Sequence, residues 1–347
     1  MKANNRLSIR NVLFGLTVAG ALSVAPAGWC STTNSDNFND GNDTAPTIAW
    51  QHYDPIGEIL TIMSGNPTTN AQWNFPGGNT YQIVALPSPE PAGMGQGRAG
   101  SLAPGNLGNF YVAADVVNWD NTVHQVFGLL ARVGTPTVQQ TTGYLLDWDS
   151  SGNLSSGGDM DIVRIDAESP TDLNGSEIFG DDGIHLTNGS SYRFIFMGVS
   201  NVLRGQVYDL ANLAYPLVDY VVSDPAYDPS GSTHVSGTTG LFVANNSGET
   251  GYDGPGDATY DNFVATDGDL LAQNWPLLKV SRPSAGTVCL SWPFGTTAWP
   301  LNLYSSPSVV GSPVVWTGPL TPTGTNGAWQ VYCVSPATGM EFFKLAP

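Results

Sequence analysis

Acidic residues alternate along one short stretch of the chain, GDMDIVRIDAE, residues 158–168. Asp159 and Asp161 are two positions apart, and this spacing places both carboxyl groups on one face of a β-strand. Paired carboxyl groups can cleave glycosidic bonds, one as nucleophile and one as acid/base, when about 5–5.5 Å separates them. Arg164 cannot donate and recover a proton near neutral pH. We therefore expect a strand with a polar, solvated face, and Asp159 and Asp161 remain the catalytic alternative.

Signatures of other hydrolases are missing from the sequence. No G-x-S-x-G occurs, and the histidines at 52, 124, 185 and 234 are scattered singly. Nucleophilic and zinc-dependent hydrolases need a base or a second ligand at a fixed spacing. The sequence therefore predicts neither class.

Aromatic residues next to amides and acids suit sugar binding, because rings stack on sugars while amides and acids bind hydroxyl groups. Trp119, Asp120 and Asn121 lie in NWDNT between two strand-like runs, and Trp148 is followed by an aspartate. Turn residues surround Trp119, so we expect it to be exposed. These four residues are the predicted ligand-binding set, with core packing of each tryptophan as the alternative.

The tripeptide Asp-Asn-Phe occurs twice, at 36–38 and at 261–263. The first copy lies in a stretch rich in side-chain oxygens, the ligands that calcium prefers, but its spacing does not fit an EF-hand loop. We hypothesise a structural calcium ion held by Asp36 and Asp261 where the first and last strands of one unit pair. A strand pair with solvated acidic ends is the alternative.

The elements that must position these residues are short strands. Helical periodicity is almost absent, whereas strand-like runs bounded by turn residues follow one another. Tyr192, Phe194 and Phe196 alternate with Arg193, Ile195 and Met197, as on a strand with two faces. The pattern predicts an all-β, antiparallel jelly-roll sandwich over 34–266, with a Pro/Gly-rich loop at 85–106. The predicted strands are 110–118, 124–132, 143–148, 159–166, 192–199, 202–210, 216–222, 240–245 and 258–265.

A second, smaller β-sandwich module is predicted at 275–347, after a boundary near 266–278. Its predicted strands are 286–293, 299–306, 313–318, 328–334 and 340–346. Cys289 and Cys333 lie on two of these strands and could join the sheets of the module. Such a disulfide contributes about 3–4 kcal/mol in the chain-entropy model; two unpaired core cysteines are the alternative.

Two resemblances to known families cover most of the chain after its first segment. The opening Asp-Asn-Phe, YLLDW at 144–148, IVRID at 162–166 and the closing YDNF at 260–263 resemble concanavalin A-like/LamG-type jelly rolls. LSW at 290–292, LYSS at 303–306 and EFFKL at 341–345 are similar to the C-terminal β-module of many secreted bacterial multidomain proteins. Jelly-roll glucanases of the laminarinase type carry Glu-x-Asp-x-x-Glu, where this chain has Asp159-Met-Asp161-Ile-Val-Arg164. The resemblance therefore implies the fold and leaves catalysis in doubt.

Charge and the first residues bear on compartment and partners. Residues 1–27 combine a basic start, an apolar run and a small-x-small site, which predicts a signal peptide and a secreted or cell-surface protein. The chain has 11 basic and 29 acidic residues and a net charge of -18. Such a charge repels nucleic acids and suits neutral glycans. No later apolar run approaches the roughly 18 residues that a membrane span needs.

These observations predict a secreted, non-catalytic protein that recognises glycans or cell-surface polysaccharide, without a cofactor apart from the calcium ion. A jelly-roll glycoside hydrolase or polysaccharide lyase is the first alternative. A structural or adhesive cell-surface protein is the second.

Overall fold

A computed structural model describes residues 33–44, 47–89, 95–120, 122–150, 158–174, 186–187, 189–213, 216–245, 254–267, 279–284, 287–293, 302–307, 315–326, 329–334 and 342–346. The predicted signal peptide at 1–27 and Asn121 lie outside the described residues. Among the described residues, no helix is long and apolar enough to cross a membrane.

The chain is nearly all β, as predicted. The elements, in chain order, are β1 (Thr33–Asp36), β2 (Gln51–Tyr53), α1 (Pro55–Ser64), β3 (Ala71–Asn74), a 3₁₀ turn (Pro76–Gly78), β4 (Tyr81–Ala85), β5 (Arg98–Leu107), β6 (Phe110–Trp119), β7 (Gln125–Val133), β8 (Gly143–Asp149), β9 (Asp159–Asp166), β10 (Ser169–Asp172), β11 (Tyr192–Val199), β12 (Val202–Asp209), β13 (Val218–Ser223), β14 (Gly237–Asn245), β15 (Gly256–Thr266), β16 (Lys279–Ser284), β17 (Thr287–Pro293), β18 (Asn302–Ser306), β19 (Gly324–Asn326), β20 (Trp329–Val334) and β21 (Phe342–Ala346).

Two antiparallel sheets form the sandwich. The eight-stranded sheet has the order β13-β12-β11-β6-β15-β4-β3, with β1 added to β15. The seven-stranded sheet has the order β10-β9-β8-β7-β14-β5-β2. Neighbours in these orders are often distant in sequence, as in a jelly roll. The predicted sandwich is therefore present, while the LamG type and the family of the terminal module stay predictions.

Alternating side chains build the core between the sheets. On β11, Phe194 and Phe196 are fully buried in the main core, whereas Ile195 and Met197 belong to a separate cluster on the outer face. Burying a phenylalanine side chain contributes about 1.5–3 kcal/mol. Because the strand period is two, this core fixes which residues of every strand face outward.

Helix α1 was not predicted, although its end signals are present in the sequence. Asp54 caps it by accepting a hydrogen bond from the Gly57 backbone N–H at 2.8 Å, and Pro55 occupies the first turn. Gly65 ends it in the left-handed conformation (φ 71°). The expectation of a loop over 85–106 was wrong in part, because β5 (Arg98–Leu107) pairs with β14 and β2 inside the sheet.

The described C-terminal strands form a four-stranded sheet, β16-β17-β20-β19, and a pair, β18-β21. Cys289 and Cys333 form a disulfide, and they lie opposite each other on β17 and β20, so the bond links neighbouring strands of one sheet instead of two sheets. In the predicted strand at 313–318, the described part contributes a single bridge from Thr317 to Ser305.

An apolar cluster joins the C-terminal strands to the sandwich. Trp292 and Leu303 pack with Val221 of β13, on the outer face of the eight-stranded sheet. Arg204 and Asp219 lie on the same face and form a buried ion pair, with Nε–Oδ1 and Nη2–Oδ2 distances of 2.7 Å each. The described part of the small module therefore packs directly on this sheet.

Candidate functional site

The two Asp-Asn-Phe tripeptides meet in space. Strand β1 pairs antiparallel with β15, and Asp36 lies opposite Phe263 in the register. The pairing of first and last strands agrees with what the repeated tripeptide suggested. Phe38 and Phe263 are both fully buried in the main core.

One edge of β15 is shared by two shorter strands placed end to end. Strand β4 pairs with Gly256–Tyr260, and β1 pairs with Phe263–Thr266. Asp261 and Asn262 lie between them, at an irregularity in the pairing with β6. Asn262 has φ 51°, a left-handed conformation that asparagine tolerates better than most residues. The break between β4 and β1 therefore leaves an opening in the sheet edge.

Asp36 holds the other side of this opening. Its Oδ1 accepts a hydrogen bond from the Phe38 backbone N–H at 2.8 Å, which closes an Asx turn around Asn37. Its Oδ2 accepts from Trp50 Nε1 at 3.0 Å. The carboxyl group is 3% exposed, and two donors satisfy it.

Aromatic rings of the main core pack beside Phe263, which lines the opening. The Phe38 and Tyr81 rings stack at 5.0 Å between centroids, and the Trp50 and Phe263 rings meet edge-on at 4.8 Å. Burial raises the pKa of Tyr81 well above its usual value, with further contributions from Asp43, so this phenol stays neutral.

Six residues at the opening line an open pocket of about 400 Å³, which we call the Asp-Asn-Phe pocket. Its volume is in the range of small-molecule sites. Asn37 uses Oδ1 to accept a hydrogen bond from Asn39, and Asn262 uses Nδ2 to donate to Asp115. In the described hydrogen bonds, Nδ2 of Asn37 and Oδ1 of Asn262 therefore remain as a donor and an acceptor. The lining residues are Ser35, Asp36, Asn37, Thr47, Asn262 and Phe263.

The proposed calcium ligands, Asp36 and Asp261, lie on opposite faces of the sheet. Asp36 faces inward opposite Phe263, whereas Asp261 lies opposite Asp115 on the outer face. Arg193 donates to Asp115 from Nε at 2.7 Å and from Nη2 at 2.9 Å, so the acidic group next to Asp261 on that face is already paired with a cation. Burial raises the pKa of Asp261, the Asn262 backbone N–H lowers it, and Asp115 raises it further.

The described residues therefore do not fit a calcium site shared by Asp36 and Asp261. They include no group of three or more histidine, cysteine, aspartate or glutamate side chains placed to hold a metal ion. Calcium binding by the chain as a whole stays a prediction, and melting in excess calcium and in chelator tests it.

The predicted sugar-binding tryptophans are in the core. Trp119 is 1% exposed and Trp148 is 4% exposed, and their rings meet edge-on at 6.2 Å between centroids. The expectation that Trp119 is exposed was wrong, because β6 continues to residue 119 and places the ring inside the sandwich. Asp120 is exposed and bonds the Thr122 backbone N–H at 2.8 Å, as a turn residue. None of the three offers a face for a sugar.

An aromatic group near the surface occurs instead at Trp73. The His52 ring stacks on it at 3.8 Å with an interplanar angle of 4°. His52 Nε2 in turn lies 2.6 Å from Asp43 Oδ2. One face of the indole is therefore occupied by protein, and the other packs toward the core.

The alternative catalytic pair lies on β9, and each member has an acidic partner on β8. Asp161 lies opposite Asp147, and Asp159 lies opposite Asp149. The expectation of a solvated face was wrong: Asp159 is 1% and Asp161 is 6% exposed. Antiparallel neighbours have Cβ atoms about 4.5–5.5 Å apart. The acidic residues that approach each other are thus on adjacent strands.

Two important residues were overlooked in the sequence, Asp147 and Asn262. Asp147 stands in YLLDW on a strand of otherwise apolar residues, and a lone acid in such a run is the available signal. Asn262 is the central residue of the second Asp-Asn-Phe, so the repeat itself pointed to it.

Comparison with known proteins identifies no family. No family model matches the chain, and no curated protein sequence matches it.

Solved structures do match at low identity. A carbohydrate binding module, CBM66, from Bacillus subtilis is 12% identical, over 62% of this chain and 94% of that chain, with a TM-score of 0.39. The winged bean acidic lectin, complexed with methyl-α-D-galactose, is 10% identical over 68% and 98%, with a TM-score of 0.38. A prokaryotic β-1,3-1,4-glucanase from a mouse hindgut metagenome is 16% identical over 68% and 99%, with a TM-score of 0.41. At these values the likenesses carry no argument about ligand or activity.

Proposed function

We propose that this chain is a secreted, non-catalytic glycan-recognition protein and that it binds its ligand in the Asp-Asn-Phe pocket. The observation that carries the proposal is the pocket itself, an opening of about 400 Å³ lined by hydroxyl, amide and carboxyl groups. Hydrogen bonds from backbone N–H groups hold the side chains of Asp36 and Asn37 in place. Fixed polar groups lose little entropy when a ligand binds.

The chemistry of the lining favours a neutral ligand rich in hydroxyl groups. A sugar hydroxyl both donates and accepts hydrogen bonds, and the pocket offers a donor at Asn37 and an acceptor at Asn262. Asp36 lines the same space, and the chain carries a net charge of -18. Both disfavour an anionic glycan, because like charges repel at close range.

Isothermal titration with neutral mono- and oligosaccharides, chosen from a glycan array, tests this function. Asn37→Ala and Asn262→Gly each remove one hydrogen-bonding side chain from the pocket, and we expect each to weaken binding about five- to tenfold, the effect of about 1 kcal/mol. Asn74→Ala, at an exposed amide on β3 outside the pocket, is the matched control and keeps wild-type affinity. An array without any neutral-glycan signal would contradict the proposal.

Cleavage of glycosidic bonds is the second candidate function, favoured by the facing of Asp147 and Asp161. The protonated carboxyl would give its proton to the leaving oxygen, while the ionised one attacks the anomeric carbon; water then releases the sugar. The two groups are 5% and 6% exposed, and this burial ranks the activity second because a polysaccharide must reach them. Release of reducing ends that is lost in Asp161→Asn, and kept in the exposed-site variant Asp228→Asn, would establish it.

A further inference from the structure

Two pairs of carboxyl groups stand next to each other on the outer face of the seven-stranded sheet. Asp147 lies opposite Asp161, and Asp149 lies opposite Asp159, in the antiparallel register of β8 and β9. The alternate residues of the same strands, such as Leu146, face the core between the sheets. The four acids therefore share one face within two strands.

Hydrogen bonding differs within the first pair. Asp161 Oδ1 accepts a hydrogen bond from Asn174 Nδ2 at 3.2 Å. Asp147 is 5% exposed, and its buried Oδ1 has no hydrogen-bond partner. The Asp147 backbone N–H favours the ionised form, but a carboxylate with so few donors is costly to bury, and such a group takes up a proton instead. A protonated Asp147 would also have a donor for the neighbouring carboxylate.

Among the residues that the structure describes, the charged groups that act on Asp147 are acidic. They are Asp161 on β9, Asp149 on its own strand and Asp172 on β10. On β7 the residue in register is Gly128, which brings no side chain. Burial raises the pKa of Asp147 well above its usual value, and the charges of these three aspartates raise it further, Asp161 most of them.

We propose that Asp147 is a proton-binding site: the proton on Asp147 removes one of the two charges that face each other across β8 and β9, and so stabilises the buried outer face of the sheet. Loss of that proton sets two negative charges opposite each other in a poorly solvated place, which weakens the sheet there. The site is separate from the Asp-Asn-Phe pocket and does not rest on glycan binding.

The direction of the pH effect follows from proton linkage. The folded state holds the proton at a pH where an unfolded aspartate, with a pKa of about 3.9, has lost it. The proton therefore adds stability that is fully present below the unfolded pKa of about 3.9. This stability is lost as the pH rises through the raised pKa of Asp147 in the folded protein.

Thermal melting of the full chain between pH 5 and pH 9 tests the site. We expect the melting midpoint of the wild type to fall by several degrees as the pH rises. The control Asp228→Asn shows how much of any fall is a general effect of net charge. Asp228 is exposed and faces Ser230, and its lowered pKa keeps it ionised throughout this range. Asp147→Asn replaces the protonated carboxyl by an amide that still donates a hydrogen bond, so its midpoint exceeds that of the wild type at pH 9 and no longer falls. Parallel curves for wild type and Asp147→Asn would overturn the proposal.

Infrared difference spectroscopy gives a second measurement if either variant folds poorly. The wild-type protein should show the C=O stretch of a protonated carboxylic acid near neutral pH, and this band should disappear at high pH in step with the fall in melting midpoint. Absence of the band at pH 6 would also overturn the proposal. In Asp161→Asn the band should disappear at a lower pH than in the wild type, since one of the charges that raise the pKa of Asp147 is gone while its burial remains.

Discussion

Asp36 and Asp147 are buried to almost the same degree, on opposite sheets of the sandwich, but the groups around their carboxyl groups are opposite in kind. Asp36 accepts hydrogen bonds from a backbone N–H and an indole N–H. Asp147 Oδ1 accepts none and faces other acids. The difference teaches that burial alone does not decide what a carboxyl group does. The donors and charges placed around it decide whether it organises a turn or binds a proton.

A third aspartate shows another solution. Asp219 is buried against Arg204, which donates to both of its oxygens, and Gln206 Nε2 adds a bond at 2.8 Å. This ion pair lies on the face of the eight-stranded sheet that also packs against Trp292 of the C-terminal strands. The burial of these three carboxyl groups is thus compensated in three ways: by neutral hydrogen-bond donors at Asp36, by a cation at Asp219 and by a proton at Asp147.

The largest expected effect comes from breaking the ion pair. Asp219→Ala leaves the Arg204 charge buried without its partner, and we expect a loss of about 3–5 kcal/mol in the free energy of unfolding. Denaturant titration measures it. Asp166→Ala breaks an Arg164 pair whose carboxylate is 48% exposed and serves as the control, with an expected loss of about 1 kcal/mol or less. Equal losses in the two variants would mean that burial does not govern these pairs.

Asp36→Ala should cause the next largest loss of stability. It leaves the Phe38 backbone N–H and the Trp50 indole N–H without an acceptor, and a hydrogen bond contributes about 0.5–1.5 kcal/mol, so we expect a loss of about 1–3 kcal/mol for the two. Asp36→Asn keeps one acceptor oxygen and should lose about half as much. An Asp36→Ala variant as stable as the wild type in denaturant titration would remove the role assigned to this carboxylate.

Replacing aspartate by asparagine should have the opposite effect on stability at Asp147, on the other sheet. Above the raised pKa of Asp147, Asp147→Asn should stabilise the protein, because it removes a buried charge that has no donor at Oδ1. Melting of Asp36→Asn and Asp147→Asn side by side, at a pH above the fall in the wild-type midpoint, measures this contrast directly. If both substitutions lower the midpoint, the distinction between the two sites is lost.

The smallest effect on stability is expected at Asn262. Asn262→Gly keeps the left-handed backbone and should change the free energy of unfolding by less than about 0.5 kcal/mol. Asn262→Ala should cost about 1–2 kcal/mol, because alanine has the steric cost of this conformation without the polar side chain that lets asparagine tolerate it. Both remove the amide from the pocket. Equal loss of glycan affinity in the two variants, with unequal stability, would separate the ligand site from the fold.

Much of the sandwich could be predicted from the sequence, because its strands are bounded by turn residues and alternate with period two. The predicted strands at 159–166 and 192–199 agree in their bounds with β9 and β11. Helix α1 was missed because it is short, although Asp54, Pro55 and Gly65 marked both of its ends.

The sites were harder to predict, because they depend on pairing across the sheet. The burial of Trp119 and the facing of Asp147 with Asp161 follow from register, and register depends on contacts distant in sequence. The repeated Asp-Asn-Phe marked two paired strands, β1 and β15, although the turn chemistry of the copies differs: Asp36 accepts from the Phe38 backbone N–H, and Asp261 from that of Asn262.

The sharing of the β15 edge by β1 and β4 has a consequence for how the chain folds. The hydroxyl groups of Thr33 and Thr266 are 2.9 Å apart although 233 positions separate them in sequence. Contacts of such separation form late and slowly, because a long loop must close before they contribute. When the chain is synthesised from its N-terminus, the edges of β1 and β4 that pair with β15 stay unpaired until β15 has been made. Because unpaired strand edges promote aggregation, we expect resistance to aggregation only after β15 has joined the sheet.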